Sequence, residues 1–535
     1  MIAYLTIPFL LFTPLLILIL RVMRPRFRAF WLLSALAGLA AWVTLLLSLS
    51  RLPFSLPLVT WRPEELFPAA PVLIWDAVSW PFALALATLA LASVLTDLAR
   101  PERTAGGIAD WAAWASALTL GGLGILATLS GNLLSVLLAW SALDLVEIAV
   151  WLALVRSSEG REQAVVAFSG RLAGTVGVLW AGMLAQAQGL PLSFEELPAQ
   201  ISTVLLVASG LRLGVLPISA PLSQDLIPRR SVGVLLRLAP AAAVLPVLVR
   251  SGIVGAASPW LPLIFAVAGL AALYGGLSWA GAADEHQAQG YWLLGMSALA
   301  LGAAARGQPA ACQAWGLALL LPGGLLLLST ARRRALLPFL LLGWLGMSAL
   351  PFTPAWRGLS LYAPPFPWLG VTFLIAQAAL AAGYLRHALR QAAPLEGLER
   401  WVWLVYPWGM LVIVLVDLAL AWWGRPAGPL ARPGLWVEAY PGWLASWPGW
   451  ASAALAVVFG VWRRRGHKVS PRLLGGARRF LSIQWFYRLL WGVYYALRRA
   501  AFFASANLEG QAGVLWALLL LILLLSLFFQ MGLGA

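Results

Sequence analysis

Cysteine, histidine and lysine are nearly missing from this chain of 535 residues, which holds one cysteine (Cys312), three histidines (His286, His387 and His467) and one lysine (Lys468). A lone cysteine excludes an internal disulfide and any thiolate-held metal or iron–sulfur cluster. The histidines sit at or beyond the ends of the apolar runs, which disfavours a bis-histidine haem. No cofactor and no metal site is therefore expected. Charge is scarce as well: only 10% of the residues are Asp, Glu, Lys or Arg, far too few to cover a water-facing surface. Because almost every basic residue is arginine, no cation here readily releases a proton, whereas a buried lysine would.

What the chain has instead is long apolar runs. Its mean hydropathy is +0.86, and sixteen runs, from 2–21 to 513–533, are long enough to approach the roughly 20 residues a spanning helix needs. The expected fold class is all-α, a polytopic transmembrane helix bundle of about 14–16 spans with broken helices and a C-terminal amphipathic surface helix. Of the 36 basic residues, seven (Arg51, Arg62, Arg250, Arg306, Arg357, Arg425 and Arg432) fall in even-numbered loops and three (Arg171, Arg212 and Arg237) inside spans. The other 26 crowd the odd-numbered loops. Such alternation puts the odd loops in the cytoplasm and both termini outside, in the cell's inner (plasma) membrane. The first run has no basic residue before it and no small-residue cleavage site, so it is expected to be a retained span. A net charge of +16 would suggest nucleic acid in a soluble protein; here lipid headgroups of the bilayer account for it, and no nucleic-acid partner is expected.

Along the chain the expected divisions are N-terminal spans and a first outer loop (1–73), a core (74–360), accessory spans (361–462), a basic amphipathic helix (463–512) and a last span (513–535). In 463–512 arginines alternate with Phe480, Trp485, Leu489, Tyr494 and Leu497, a pattern suited to the headgroup zone. It reads either as a surface helix tethering the last span or as a docking strut for a partner. Pro217 and Pro221 are expected to break the end of the seventh span, and Pro322-Gly323-Gly324 to interrupt the eleventh. Breaks about four spans apart, in comparable positions, suggest an internal repeat of the kind that transporters use at ion sites.

Ionisable groups at bilayer depth cost several kcal/mol unless paired or hydrated, so each is a candidate functional residue. Asp144 and Glu147 stand three apart, on one face of the fifth span. Arg171, Arg212 and Arg237 follow on the sixth, seventh and eighth, and Asp417 lies in the fourteenth. Two roles compete for the cluster. A carboxylate desolvated beside its twin exchanges a proton; one clamped by an arginine is a fixed strut. Asp417 has no partner in neighbouring sequence, and reads as a protonated structural group or the lining of a second hydrated pocket.

These residues resemble the antiporter-like membrane subunits of respiratory complex I and of Mrp-type cation/proton antiporters, over about residues 74–360 with a looser echo toward the C-terminus. WDAVSWPF (75–82) is similar to the family's Asp-aromatic opening of the third span, and SGNLLSVLLAW (130–140) to its fifth-span motif. FSGRLAG (168–174) resembles the Asn-Arg-Ile-Gly motif; LRLGVLPISAPL (211–222) has Arg212 five residues before Pro217, where the family has lysine. DEHQAQGYW (284–292) keeps the spacing of the Asp-x-Lys-Arg-x-x-Ala-Tyr loop, and SALPFTPAWRG (348–358) resembles a Gly-Leu-Pro-Pro segment. The chain also departs from the family. Ser141 replaces the glutamate after tryptophan, with Asp144 a turn further; the eighth-span histidine falls near Leu236, beside Arg237; the eleventh-span lysine aligns near Gly316.

The resemblance implies a proton- or cation-translocating subunit of a complex I-like NADH/quinone oxidoreductase or related assembly, with other membrane subunits as partners and no catalytic site of its own. The ion path would use Asp144, Glu147, Arg171, Arg212 and Arg237. One alternative is a structural subunit whose channel has decayed. Another is a lipid-linked glycosyltransferase, for which Glu64 and Glu65 in the first outer loop are the only candidate residues.

Overall fold

A computed structural model describes residues 5–24, 26–58, 69–99, 109–155, 158–194, 197–218, 230–254, 258–329, 334–364, 368–390, 400–423, 442, 446–464 and parts of 491–523. It separates into two compact units, Met1–Ala477 and Arg478–Ala535. Fifteen α-helices make up the first, among the described residues: α1 (Thr6–Met23), α2 (Phe30–Ser48), α3 (Ser79–Thr96), α4 (Asp110–Thr128), α5 (Leu133–Leu154), α6 (Ser158–Ala187), α7 (Ala199–Arg212), α8 (Arg230–Val254), α9 (Leu261–Gly281), α10 (Glu285–Ala305), α11 (Pro309–Leu328), α12 (Leu337–Met347), α13 (Gly370–Ala388), α14 (Val402–Trp423) and α15 (Trp447–Arg464). Each matches one of the first fifteen apolar runs, and ten are long and apolar enough to cross a membrane. In the second unit, 491–492, 495–496, 498–500, 502–503 and 518–523 are helical. Most of the expected surface helix and of the sixteenth run lies outside the described residues.

The helices fall into an inner and an outer set. α3, α8 and α11 are buried along nearly their whole length, whereas α1 and α6 leave most of theirs open. On α6 the large side chains Leu172, Val176, Leu179 and Trp180 are exposed, whereas those of α3 and α8, such as Trp80, Phe82, Leu236 and Leu245, are buried. Glycine lets α9 approach its neighbours closely. A Cβ on Gly275 would stand 2.6 Å from the Gly295 amide nitrogen of α10.

Outside the bilayer helices a short hairpin pairs β1 (Phe54–Pro57) with β2 (Val72–Trp75), Phe54 opposite Trp75 with rings 4.7 Å apart. This hairpin occupies part of the expected first outer loop. Arg250, at the end of α8, fastens the adjoining loop: its guanidinium donates to Asp76 (3.1 Å), Ser79 Oγ (2.6 Å) and the Ser130 carbonyl (3.0 Å).

Among the described residues, two helices are cut short. α7 stops at Arg212 and residues 213–218 are turns, with Gly214 at φ 69°. α12 stops at Met347, and turns at 348–353 place Ala349 (φ 55°) and Phe352 (φ 69°) in the left-handed region before a 3-10 segment, Pro354–Tyr362. The first break is where Pro217 foretold it, with Pro221 outside the described residues. The second is not at Pro322, as expected, because α11 runs through that proline without interruption. Pro322 removes one donor without breaking the helix; beside it Trp292 Nε1 donates to the Leu319 carbonyl (3.2 Å), and Gly323 and Gly324 let Trp292 and Leu89 pack directly on α11. The two breaks are thus five helices apart, at α7 and α12.

Candidate functional site

The site is built on the inward face of α5. Asn132 caps this helix, its side chain accepting from the Ser135 amide at 2.8 Å, and the register so fixed brings Trp140, Asp144, Glu147 and Trp151 along one side. All four are buried.

Asp144 is held from two directions. Arg212, the last residue of α7, donates through Nη1 and Nη2 to the two carboxylate oxygens, each at 2.6 Å. Nη1 also donates to Thr175 Oγ1 (2.6 Å) and the Arg171 carbonyl (3.2 Å) of α6, and Thr175 donates to Asp144 at 3.3 Å. The Arg212 guanidinium lies 4.3 Å from the centre of the Trp140 ring. A planar cation in a two-toothed pair, stacked on an aromatic face, is arginine chemistry that lysine does not reproduce.

Glu147 is held less completely. It forms an ion pair with Arg171, and Trp151 Nε1 donates to Oε1 at 3.2 Å. Its other oxygen, Oε2, is buried with no hydrogen-bond partner among the described residues, as are Ser209 Oγ and Arg212 Nε. Arg237 of α8 is within electrostatic reach of Glu147 and Arg171. It donates to Gln289 Oε1 of α10 at 3.1 Å and lies 5.9 Å from the Trp151 ring centre.

All five candidate residues therefore converge at the junction of α5, α6, α7 and α8. Arg212 is at a helix end rather than mid-span, because the turns at 213–218 shorten α7. Sequence reasoning missed Trp140, Thr175 and Gln289. Trp140 had a signal, standing one turn before Asp144 on the same face; Thr175 and Gln289 had none beyond polarity within an apolar run. Glu64 and Glu65 lie outside the described residues. Among those residues, no group of three or more His, Cys, Asp or Glu is arranged to hold a metal ion.

No family model and no curated protein sequence matches the chain. Its structure does match solved ones. A chain of the Mrp complex from Dietzia sp. DQ12-45-1b superposes with a TM-score of 0.71 at 15% identity, covering 99% of this chain and 63% of that one. The membrane-bound sulfane sulfur reductase, an archaeal respiratory membrane complex, gives 0.66 at 15% identity, covering 97% of this chain and 100% of that one. Respiratory complex I from Thermus thermophilus gives 0.57 at 20% identity, covering 77% and 97%.

The fold is that of these membrane-complex subunits.

The chain is a multi-pass membrane protein, and it spans 63% of the length of the Mrp chain it matches. Within that fold the site keeps the departures noted in the sequence, among them an arginine, Arg212, before the α7 break and Ser141 with Asp144 one turn further on α5.

Proposed function

We propose that the chain is a proton- or cation-translocating subunit of a multi-subunit assembly akin to complex I or Mrp, seated in the inner (plasma) membrane with both termini outside. The unequal treatment of two neighbouring carboxylates carries this reading. Asp144 is saturated by Arg212 and Thr175, so it serves as a strut that fixes α5 to α6 and α7. Glu147 keeps one oxygen unmet, with a second guanidinium, Arg237, within electrostatic reach.

Two acids face three guanidiniums, which leaves one positive charge in excess. None of those cations gives up its proton. Charge in this cluster therefore changes only by protonating a carboxylate, and Glu147 is the one whose bonds allow it. Movement of Glu147 between Arg171 and Arg237 would couple proton uptake to a change of partner, with sister membrane subunits supplying the continuation of the path. The saturated Asp144 pair is what a decayed channel would also retain. A direct test compares ion flux in membranes holding the native assembly with that in membranes whose assembly lacks this chain but keeps its other subunits. Loss of flux supports translocation; undiminished flux assigns the chain a structural role.

A further inference from the structure

The second broken helix has a carboxylate of its own. Asp417 of α14 is 4% exposed, and a Cβ on Gly346 would run into its Oδ2, so the carboxyl rests on the last turn of α12, immediately before the break at 348–353. The Pro322 ring of α11 lies beside the same position. No hydrogen bond or ion pair joins Asp417 to another described residue. Asp144 has a comparable place at the first break, against the last residue of α7, but there Arg212 meets it.

Among the described residues packed on α14 one cation is found, Arg357, and no ion pair or hydrogen bond joins it to Asp417. The elements packed there are α3, α11, α12 and the 354–362 segment. α12 has no titratable side chain; α3 has none before Asp97, which bonds Trp114 and Ser231; α11 has only Cys312; the 354–362 segment has Arg357 and Tyr362, the latter bonded to Gln377. On α14 itself the only other titratable group is Tyr406. An ionised carboxylate without a partner is costly in such surroundings. A hard metal cation needs several oxygen ligands, and a glycine Cα and a proline ring supply none.

We infer that Asp417 is a second proton-binding site, at the α11–α12–α14 junction, separate from the cluster on α5. It takes up and releases a proton at the broken end of α12, while Gly346 keeps room for the carboxyl. The inference stands whether or not Glu147 moves ions, since protonation is read directly and not through flux.

The test is infrared difference spectroscopy of the full chain in lipid nanodiscs, with pH stepped from acid to alkaline, on wild type and Asp417→Asn. A protonated-carboxyl stretch that is absent from Asp417→Asn and fades in wild type as pH rises is the expected result. No Asp417-dependent stretch, or one of constant intensity at every pH at which the protein stays folded, overturns it. If Asp417→Asn fails to accumulate, dicyclohexylcarbodiimide provides a second reading on wild type, since the O–H of a protonated carboxyl in an apolar site adds across its C=N bond, oxygen to carbon and proton to nitrogen. An adduct mapped to Asp417 that declines with rising pH supports the site; adducts confined to other carboxylates refute it.

Discussion

Arg212 Nη1 and Nη2 each stand 2.6 Å from an oxygen of Asp144, closing a two-toothed ion pair between α7 and α5 inside the bundle. Both side chains are out of reach of lipid and water. Removing one partner of such a pair leaves a buried charge uncompensated, at a cost of about 3–5 kcal/mol. Asp144→Ala and Arg212→Ala are each expected to lower thermal stability sharply in nanodiscs. The double variant, with no orphan charge, should lose less than the two single losses combined. Strict additivity would show that the pair is not coupled.

Arg212→Lys separates geometry from charge. A lysine restores the lysine of the family pattern but has neither the fork that grips both oxygens nor the flat face that covers Trp140. We expect Arg212→Lys to be less stable than wild type, and Trp140→Leu to weaken the site by about 0.5–2 kcal/mol through the lost cation–ring contact. Thermal unfolding of the purified chain measures both.

Gly346→Ala tests the packing at the second break. The added methyl meets the Asp417 carboxyl, and overfilling a packed interior costs about 1–3 kcal/mol. Combining it with Asp417→Ala should recover part of the loss. An unchanged melting temperature in Gly346→Ala would mean that α12 and α14 are not in contact there.

Orientation is open to chemical mapping, because the natural Cys312 is buried and stays silent toward impermeant thiol reagents. Cysteines replacing Arg26 and Trp260, both exposed, lie in loops of opposite parity. A membrane-impermeant maleimide applied to intact cells should label the Trp260 position and spare the Arg26 position until the membrane is opened. The reverse pattern would invert the topology.

Much of this architecture was legible in the sequence because bilayer helices are written in apolar length, and each of the first fifteen runs corresponds to a helix. The charged cluster was legible for a related reason: five ionisable residues in apolar spans have little alternative to one another. What the sequence did not disclose were features decided by neighbours. Pro322 looked like a break, yet α11 runs through it, packed against Trp292, and the interruption falls after α12. Asp144 and Glu147 look equivalent three residues apart, and only the reach of Arg212 and Thr175 distinguishes strut from open carboxylate. The β1–β2 hairpin, four residues a strand within a loop, carries too short an alternation to stand out.

The most direct test of the account is proton flux through the native assembly bearing Glu147→Gln, beside Asp144→Glu, with assembly checked by copurification. Glu147→Gln keeps the shape but cannot take up a proton, and is expected to assemble at wild-type levels with flux abolished. Wild-type flux in fully assembled Glu147→Gln would contradict the assignment of Glu147 as the proton carrier.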